Sequence, residues 1–510
     1  MEKTFYITTP LYYVNAKPHL GHSYSTVIAD CLARFKKLKG EKVFFLTGTD
    51  EHGSKIAKAA CEKNLSPQDL ANEMVEQYKK LWEKLNISYD DFIRTTEERH
   101  INVVQKIFEI LYKKEDIYKG EYEGWYCLPC ETFVSDTYAQ ETKCPDCGRP
   151  LQKIKEESYF FKTSKYSPIL LKYIEENENF ILPVSRKQEI INILKSDFKD
   201  LSISRTSVEW SIPVSFDPKH TIYVWFDALI NYISAINYFS DKEKFNSCWP
   251  VNLHIMAKDI LKFHSTIWPC LLLALDLPLP KTILAHGWWI MDKEKMSKSK
   301  GNVIDPIDLI NEFGSDAIRY FLLKEIPFSS DGSFTRKSLI NRINSDLAND
   351  LGNLLNRTLS MVKNYLKSKT PKQGQIEIID NEIIDLAKTI CNKVFVLMEK
   401  FEIQEALVAI WDLIKENNKY IEKTTPWKLN KEEKNERLNQ VFYVLLENLR
   451  IISVLIYPFL PETSDKIRMQ IGILPLNIEK EKYNELTKWG QLLENQSIND
   501  PVPLFPRIIE

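Results

Sequence analysis

The spacing of apolar residues divides this chain into stretches of different character. Phe5-Tyr6-Ile7-Thr8 reads as a short strand. The helix that follows from His22 carries apolar or small residues at Val27, Ala29, Cys31, Leu32 and Phe35, and Gly40 stops it. Val43-Phe44-Phe45-Leu46 is a buried-strand run that ends in the polar loop Thr47–Gly53. Ser66-Pro67 opens a further helix, and Thr95 with Glu98 makes a capping-box pattern before another. Residues 1–115 therefore predict a βαβ unit of a parallel sheet, whose loops at the carboxyl ends of the strands are where such sheets bind ligands.

From 116 to 215 the helical period disappears, and aromatic and turn residues thicken at Tyr118, Tyr122, Trp125 and Tyr126. Residues 216–290 return to α/β, with strands expected at Thr221–Phe226, Leu253–Met256 and Thr282–Gly287. Asp227-Ala228-Leu229 begins a helix through Tyr232 and Ile236, and Lys258-Asp259-Ile260 leads into another that contains His264. A region from 291 to 344, with a short polar loop at Lys295–Asn302, precedes a stretch from 345 to 510 that is almost wholly helical. There Ile383, Ala387, Ile390, Val394, Leu397 and Phe401 fall on one helical face, and Val441–Ile456 predicts another amphipathic helix. The pattern predicts an α/β, Rossmann-like doubly wound parallel sheet, split by an insert and followed by an all-α helix bundle.

Composition narrows the class. At 510 residues the chain is too long for one core. A formal net charge of -2 argues against wholesale charge-driven binding to nucleic acid but leaves room for a local basic face. No run reads as long and apolar enough to span a bilayer, the best being Ile451–Leu460, interrupted by Pro458. With a strand expected so near the N-terminus there is no room for an export signal, and a cytoplasmic protein is expected. Cysteine count then matters: there are nine, an odd number, four of them in C-x-x-C pairs. Cys127 and Cys130, with Cys144 and Cys147, can converge on one tetrahedral Zn²⁺, and four thiolates leave no open position, so a structural zinc is expected.

Two further stretches carry chemistry. Thr8–His22 runs through a proline-bounded loop into a helix at His19-Leu20-Gly21-His22. Two imidazoles beside the positive end of a helix suit phosphate, and Gly21 would let a flat ligand press against the backbone. Lys295-Met296-Ser297-Lys298-Ser299-Lys300-Gly301-Asn302 is a lysine loop whose ammonium groups can close on a triphosphate as charge shifts to pyrophosphate.

In this order, His19–His22 and Lys295–Ser299 resemble the two signature motifs of class I aminoacyl-tRNA synthetases. The likeness sharpens to the methionyl branch of that family through Phe5–Asn15, Thr47–Gly53, Tyr223–Ala228, Ala285–Trp289, the four-cysteine knuckle and the helical C-terminus. The resemblance implies a ligase that activates methionine with ATP and Mg²⁺, releases pyrophosphate, and passes the methionyl group to the terminal adenosine of tRNA(Met), initiator and elongator. It makes 1–115 and 216–290 the two halves of a catalytic domain, 116–215 a connective insert with the zinc knuckle, 291–344 a stem-contact region and 345–510 an anticodon-binding domain.

By motif match, His19, His22, Lys295 and Lys298 are the expected catalytic residues, and Gly21 and Asp259 join them in binding ATP. Leu11, Tyr13, Asp50, Trp225, Ala228, Tyr232, Ile260 and His264 are the expected methionine pocket, with Asp50 taking the ammonium and Tyr13 and His264 offering weak polar contacts to sulfur. Asn353 and Arg357, four apart and so on one helix face, and Trp427 are the expected anticodon readers. One position departs from the pattern: Ala257 stands where relatives commonly have glycine. Many relatives also carry an appended C-terminal dimerising domain, and its lack here predicts a monomer. Isoleucyl, leucyl and valyl enzymes need a large editing insertion for which 116–215 has no room. A cysteinyl enzyme uses zinc in its substrate pocket. A synthetase-like RNA-binding protein without catalysis would not need the histidines and lysines that are present.

Overall fold

A computed structural model describes residues 3–127, 132–134, 143–144, 148–196, 198–291, 294–295 and 304–509. It divides into two units: Met1–Ala29 with Val43–Trp82 and Tyr89–Gly287, and Asp30–Lys42 with Glu83–Ser88 and Trp288–Glu510.

In the first unit, among the described residues, seven strands build one parallel sheet. They are β1 (Phe5–Thr8), β2 (Tyr12–Tyr13), β3 (Val43–Asp50), β4 (Asp91–Arg94), β5 (Ile181–Leu182), β6 (Leu253–Ala257) and β7 (Ile283–His286). The order across the sheet is β4-β3-β1-β6-β7-β5, and β2 continues along β3 beyond the end of β1. From β1 the chain moves outward to β3 and β4, whereas β6 and β7 lie on the other side. The reversal falls between β1 and β6, where Thr8 is in register with His254. A crevice at the carboxyl ends of two such strands is the general ligand position of open α/β sheets.

The expected elements before residue 115 are present: a helix α1 (Leu20–Lys39) ending at Gly40, and helices Pro67–Lys84 and Glu98–Lys113. Three expectations are corrected. Residues 116–215 are not free of helix, because Thr163–Glu176 and Val184–Lys195 are helical and β5, between them, joins the edge of the main sheet beside β7. Their signals were hidden by Pro168 inside the first helix and by the aromatic residues around it. Thr221–Phe226 is not a strand: Asp217–Ile222 pairs in a small antiparallel sheet, and Val224–Leu229 is helical. Val224 to Leu229 is buried throughout, so no polar face betrays a helical period. Thr95 does not cap the helix at Glu98; its hydroxyl serves the loop after β3 instead.

The insert itself is built on Ile117–Cys127 paired antiparallel with Gln152–Phe161. At its far end Cys127 and Cys144 are buried together with Leu151, and Trp125 packs against them. The N–H of Cys144 donates to the Arg149 carbonyl at 2.8 Å and the N–H of Gly148 to the Cys144 carbonyl at 2.8 Å. Cys130 and Cys147 lie outside the described residues.

The second unit is mainly helical. Arg336–Arg342, a π-helical stretch Ile343–Gly352 and Asn353–Leu366 follow one another, and Ile378–Glu399, Ile403–Thr424, Asn435–Ile456 and Pro461–Gln470 complete the bundle. The helix Asn435–Ile456 corrects the sequence reading twice. It is long and apolar enough to cross a membrane by length and composition, and it is buried from Gln440 to Ile456 on every side instead of being amphipathic. It is the core helix of the bundle. Phe401 lies past the end of its predicted helix, in left-handed backbone at φ 64°. Within this unit the buried Asp30 pairs with two arginines: Arg34 Nε donates to it at 2.8 Å and the Arg319 guanidinium lies 2.7 Å away. Burial pushes the Asp30 carboxyl up, but the two guanidinium groups outweigh it and hold it below its ordinary value.

Candidate active site

The segment between β1 and α1 shows how one short run can face two ways. Tyr12 is buried, stacks on Tyr78 with ring centres 5.5 Å apart, and bonds Thr26 Oγ1 at 2.7 Å. Side chains alternate along an extended segment, so Leu11 and Tyr13 present the opposite side. Tyr13 is in register with Asp50, at the carboxyl end of β3, where the Asp50 carboxylate is buried. Gly48 explains the close approach of Leu11: a Cβ there would lie 2.0 Å from the Ile93 carbonyl oxygen and 2.9 Å from Leu11 Cδ2.

At the start of α1 the rings of His19 and His22 stack at 3.7 Å with planes 24° apart. His22 Nδ1 accepts the His19 N–H at 3.1 Å, and His19 Nδ1 accepts the Gly21 N–H at 3.1 Å. Each ring therefore keeps its proton on Nε2, the tautomer that offers a donor to an anion. A Cβ at Gly21 would meet His19 Cε1 at 3.0 Å, so the missing side chain also seats the His19 ring.

The opposite wall comes from two helical runs. Trp225, Ala228 and Tyr232 are spaced to share one face of Val224–Leu229 and Asn231–Ser234. Trp225 stacks on Phe263 at 3.8 Å, and its ring meets His264 edge-on at 6.3 Å. His264 lies in the π-helical turn Phe263–Ile267, a distortion common at functional sites. Its Nδ1–H donates to the Ile260 carbonyl at 3.0 Å, so its Nε2 accepts the Tyr232 O–H at 2.8 Å. Burial pulls His264 down to about 4, which keeps it neutral, and raises the Tyr232 phenol. Both His264 nitrogens are thus engaged, which narrows its expected contact with sulfur to the ring itself.

Under this wall, His254 on β6 faces the Tyr232 ring at 4.3 Å, bonds Thr8 Oγ1 through Nδ1 at 2.7 Å and accepts Trp268 Nε1–H at 3.2 Å. Burial holds His254 well below its ordinary value. His286, at the end of β7, is likewise drawn down to about 4 by burial. It donates through Nδ1 to the Gly287 carbonyl at 2.7 Å and accepts from Ser25 on α1 at 2.6 Å. Asp259 is exposed in the turn after β6, and Ala257 is half-buried in register with His286.

The loop after β3 is fixed at each residue. Glu51 receives Arg94 Nε at 2.7 Å and NH2 at 2.9 Å, with the hydroxyls of Thr49 at 2.6 Å and Thr96 at 2.5 Å. Its N–H donates to Thr95 Oγ1 at 2.9 Å and its carbonyl accepts Trp210 Nε1–H at 2.5 Å. His52 donates through Nδ1 to Asp227 Oδ2 at 2.7 Å, and Gly53 N–H reaches the Trp210 carbonyl at 2.8 Å. Sequence reading missed Glu51, His52, His100, Asp227, His254 and His286 as organisers of the site. Their partners are far away along the chain, and only buried polar types clustered near strand ends could have hinted at them.

Of the other expected residues, Lys298 lies outside the described residues, and only the backbone of Lys295 is described, in the strand Glu294–Lys295. In the second unit Asn353 is exposed at the start of its helix, and Arg357 one turn on pairs with Glu422 at 2.6 Å. Trp427, just beyond the end of the helix that carries Glu422, is 39% exposed.

A model of class I tRNA synthetases (M) matches residues 5–154 and 150–359, and one of the anticodon-binding domain of methionyl-tRNA ligase matches residues 370–510. The chain belongs to the methionyl-tRNA synthetases. The methionine–tRNA ligase of Caldanaerobacter subterraneus is 52% identical over 510 residues, covering 100% of this chain and 79% of that protein. That of Clostridium tetani is 54% identical, covering 99% and 79%. The methionyl-tRNA synthetase of Mycobacterium tuberculosis solved with methionyl-adenylate is 38% identical, with a TM-score of 0.95 over 99% of this chain and 100% of that one. This synthetase is accordingly a class I aminoacyl-tRNA ligase.

Proposed function

We propose that the residues gathered at the carboxyl ends of β1, β3 and β6 carry the methionine-activating half of the ligase reaction. This synthetase activates methionine with ATP and Mg²⁺ and charges tRNA with it. In the first step the methionine carboxylate oxygen attacks the α-phosphorus of ATP and pyrophosphate leaves with the electron pair of the broken P–O bond. The reaction needs no covalent enzyme intermediate, so positioning and charge stabilisation supply the acceleration.

The observation that carries the proposal is the stacked pair His19 and His22, each with Nδ1 committed to a backbone N–H. Their Nε2–H groups would bond the phosphates as negative charge grows. Gly21, which seats His19, and Asp259 are proposed on the ATP side, and Lys295 and Lys298 would neutralise the triphosphate, with Lys298 the stronger candidate. Asp50 would hold the methionine ammonium by a charge-assisted hydrogen bond. Leu11, Tyr13, Trp225, Ala228, Tyr232, Ile260 and His264 would wall a slot for an unbranched thioether, rejecting aliphatic competitors mainly by shape, at roughly 1–3 kcal/mol per methylene. Asn353, Arg357 and Trp427 would read the anticodon, the exposed indole stacking on an unpaired base.

A structural Zn²⁺ is proposed on Cys127, Cys130, Cys144 and Cys147. The support is that Cys127 and Cys144, one from each C-x-x-C pair, are buried together at the far end of the insert. Bound there, the metal would supply folding energy to the insert and take no part in the reaction. A cytoplasmic monomer is proposed, its tRNA substrates being there. The test is ATP–pyrophosphate exchange in Asp50→Asn and His22→Ala proteins: the first should lose methionine dependence through KM and the second through kcat. An unchanged methionine KM in Asp50→Asn would overturn the assignment of the ammonium site.

A further inference from the structure

Asp227 is fully buried, and each of its carboxylate oxygens has one histidine. His52 Nδ1 lies 2.7 Å from Oδ2 and His100 Nε2 lies 2.7 Å from Oδ1; the other nitrogen of His100 meets Ser234 Oγ at 2.8 Å. These groups come from three places: the loop after β3, the helix Glu98–Lys113, and the helical run that carries Trp225, Ala228 and Tyr232. His52 is two residues from Asp50, and Asp227 stands between Trp225 and Ala228. The carboxylate is thus the link between the two walls of the methionine slot. Two nearby histidines outweigh burial and keep the Asp227 carboxyl below its ordinary value, so it is a charged acceptor for both.

We propose that Asp227, acting through His52, is a positioning residue for methionine. It fixes the distance between the Asp50 carboxylate, which takes the ammonium, and the Trp225–Ala228 wall, which takes the side chain. The loop's other bonds point the same way: Glu51 is held by Arg94, and Gly53 by Trp210, so His52 is the residue through which the loop is registered to the Trp225 helix. A loop that swings about an untied His52 moves the ammonium site against the side-chain site. Only methionine spans both, so ATP binding is spared. This inference rests on the reading of Asp50 as the ammonium ligand.

The test is ATP–pyrophosphate exchange by the full chain, with methionine and ATP titrated separately, in His52→Ala, His52→Asn, Asp227→Asn and Asp50→Asn proteins. His52→Ala should raise the methionine KM about tenfold or more, since it removes a hydrogen bond to a charged group and loosens a positioned ligand. The ATP KM should stay within about twofold, because no bond to the His19–His22 pair is lost. His52→Asn places an amide N–H near the position of Nδ1–H and should recover most of the loss. Asp227→Asn keeps the volume and one acceptor, and gives the same readout if His52→Ala fails to fold. A parallel rise in both KM values, or equal impairment of His52→Ala and His52→Asn, overturns the proposal in favour of a general structural role. An unchanged methionine KM in His52→Ala and Asp227→Asn, with Asp50→Asn impaired, overturns it while leaving the ammonium site standing. An unimpaired Asp50→Asn overturns the reading on which it rests.

Discussion

Replacing Tyr232 by phenylalanine removes one hydroxyl from the proposed methionine wall and leaves its ring packing on His254. The structure sets the size of the effect. Tyr232 is 1% exposed and its hydroxyl donates to His264 Nε2 at 2.8 Å, while His264 Nδ1–H is committed to the Ile260 carbonyl. The variant therefore leaves an imidazole lone pair buried without a donor, a cost of about 1–3 kcal/mol. Protonation cannot relieve it near neutrality, because burial draws His264 down to about 4. If about 1–2 kcal/mol of the cost falls on methionine binding, the methionine KM rises roughly 5- to 30-fold. Exchange assays at pH 7 and 8, with methionine and ATP titrated in turn, should show this rise at both pH values and an ATP KM unchanged within about twofold. A methionine KM that does not move, or an ATP KM that moves with it, refutes the assignment of the Tyr232–His264 pair to the amino-acid pocket.

Other outcomes follow from the same geometry. His264 and His286 titrate at about 4 in the folded protein against 6.5 for an ordinary histidine. The unfolded chain therefore takes up protons first as pH falls below about 6.5, and stability should drop progressively down to about pH 4, by about 3 kcal/mol for each histidine. Denaturant titrations at pH 7.5, 6, 5 and 4 check the sign; stability that rises on acidification contradicts it. Arg94→Ala strands the buried Glu51 carboxylate and should destabilise the protein by about 3–5 kcal/mol, with Glu51→Gln in the same chain recovering much of the loss; additive losses in chemical denaturation would remove the pair from the account. Trp427→Ala should leave the melting temperature and adenylate formation nearly unchanged, since its indole is 39% exposed, while aminoacylation of tRNA falls sharply. Equal loss of both activities excludes Trp427 from anticodon reading. Chelation should release one zinc per chain and make four thiols reactive, with circular dichroism losing signal from the insert; no metal by elemental analysis counts against the knuckle.

Much of the first unit was legible because local rules and tertiary structure agree there. The strand at Phe5, the glycine that stops α1 and the Ser66-Pro67 helix start each have their own mechanism. Val224 to Phe226 read as strand because a helix buried on all sides shows no period, and aromatic and β-branched residues then look like a strand, whereas the helix expected from Asp227 is there. The same cause misled at Asn435–Ile456, which is apolar all round as the core of a bundle. Helices Thr163–Glu176 and Val184–Lys195 were lost among aromatics and prolines. His19, His22, Asp50, Tyr232 and His264 are candidates by motif, but motifs say nothing of the hydrogen bonds that the structure gives His19, His22, Tyr232 and His264. Asp227 reaches His52 and His100 across 175 and 127 positions of sequence, a separation over which no local pattern speaks. The packing of the His19 ring against Gly21 is a tertiary detail that the motif does not encode.

If the histidine pair and the lysine loop serve methionine activation, ATP–pyrophosphate exchange measured with each amino acid in turn should depend on methionine and be lost in Lys298→Ala. Exchange that depends on another amino acid alone, or tRNA binding with no exchange at all, would contradict that role.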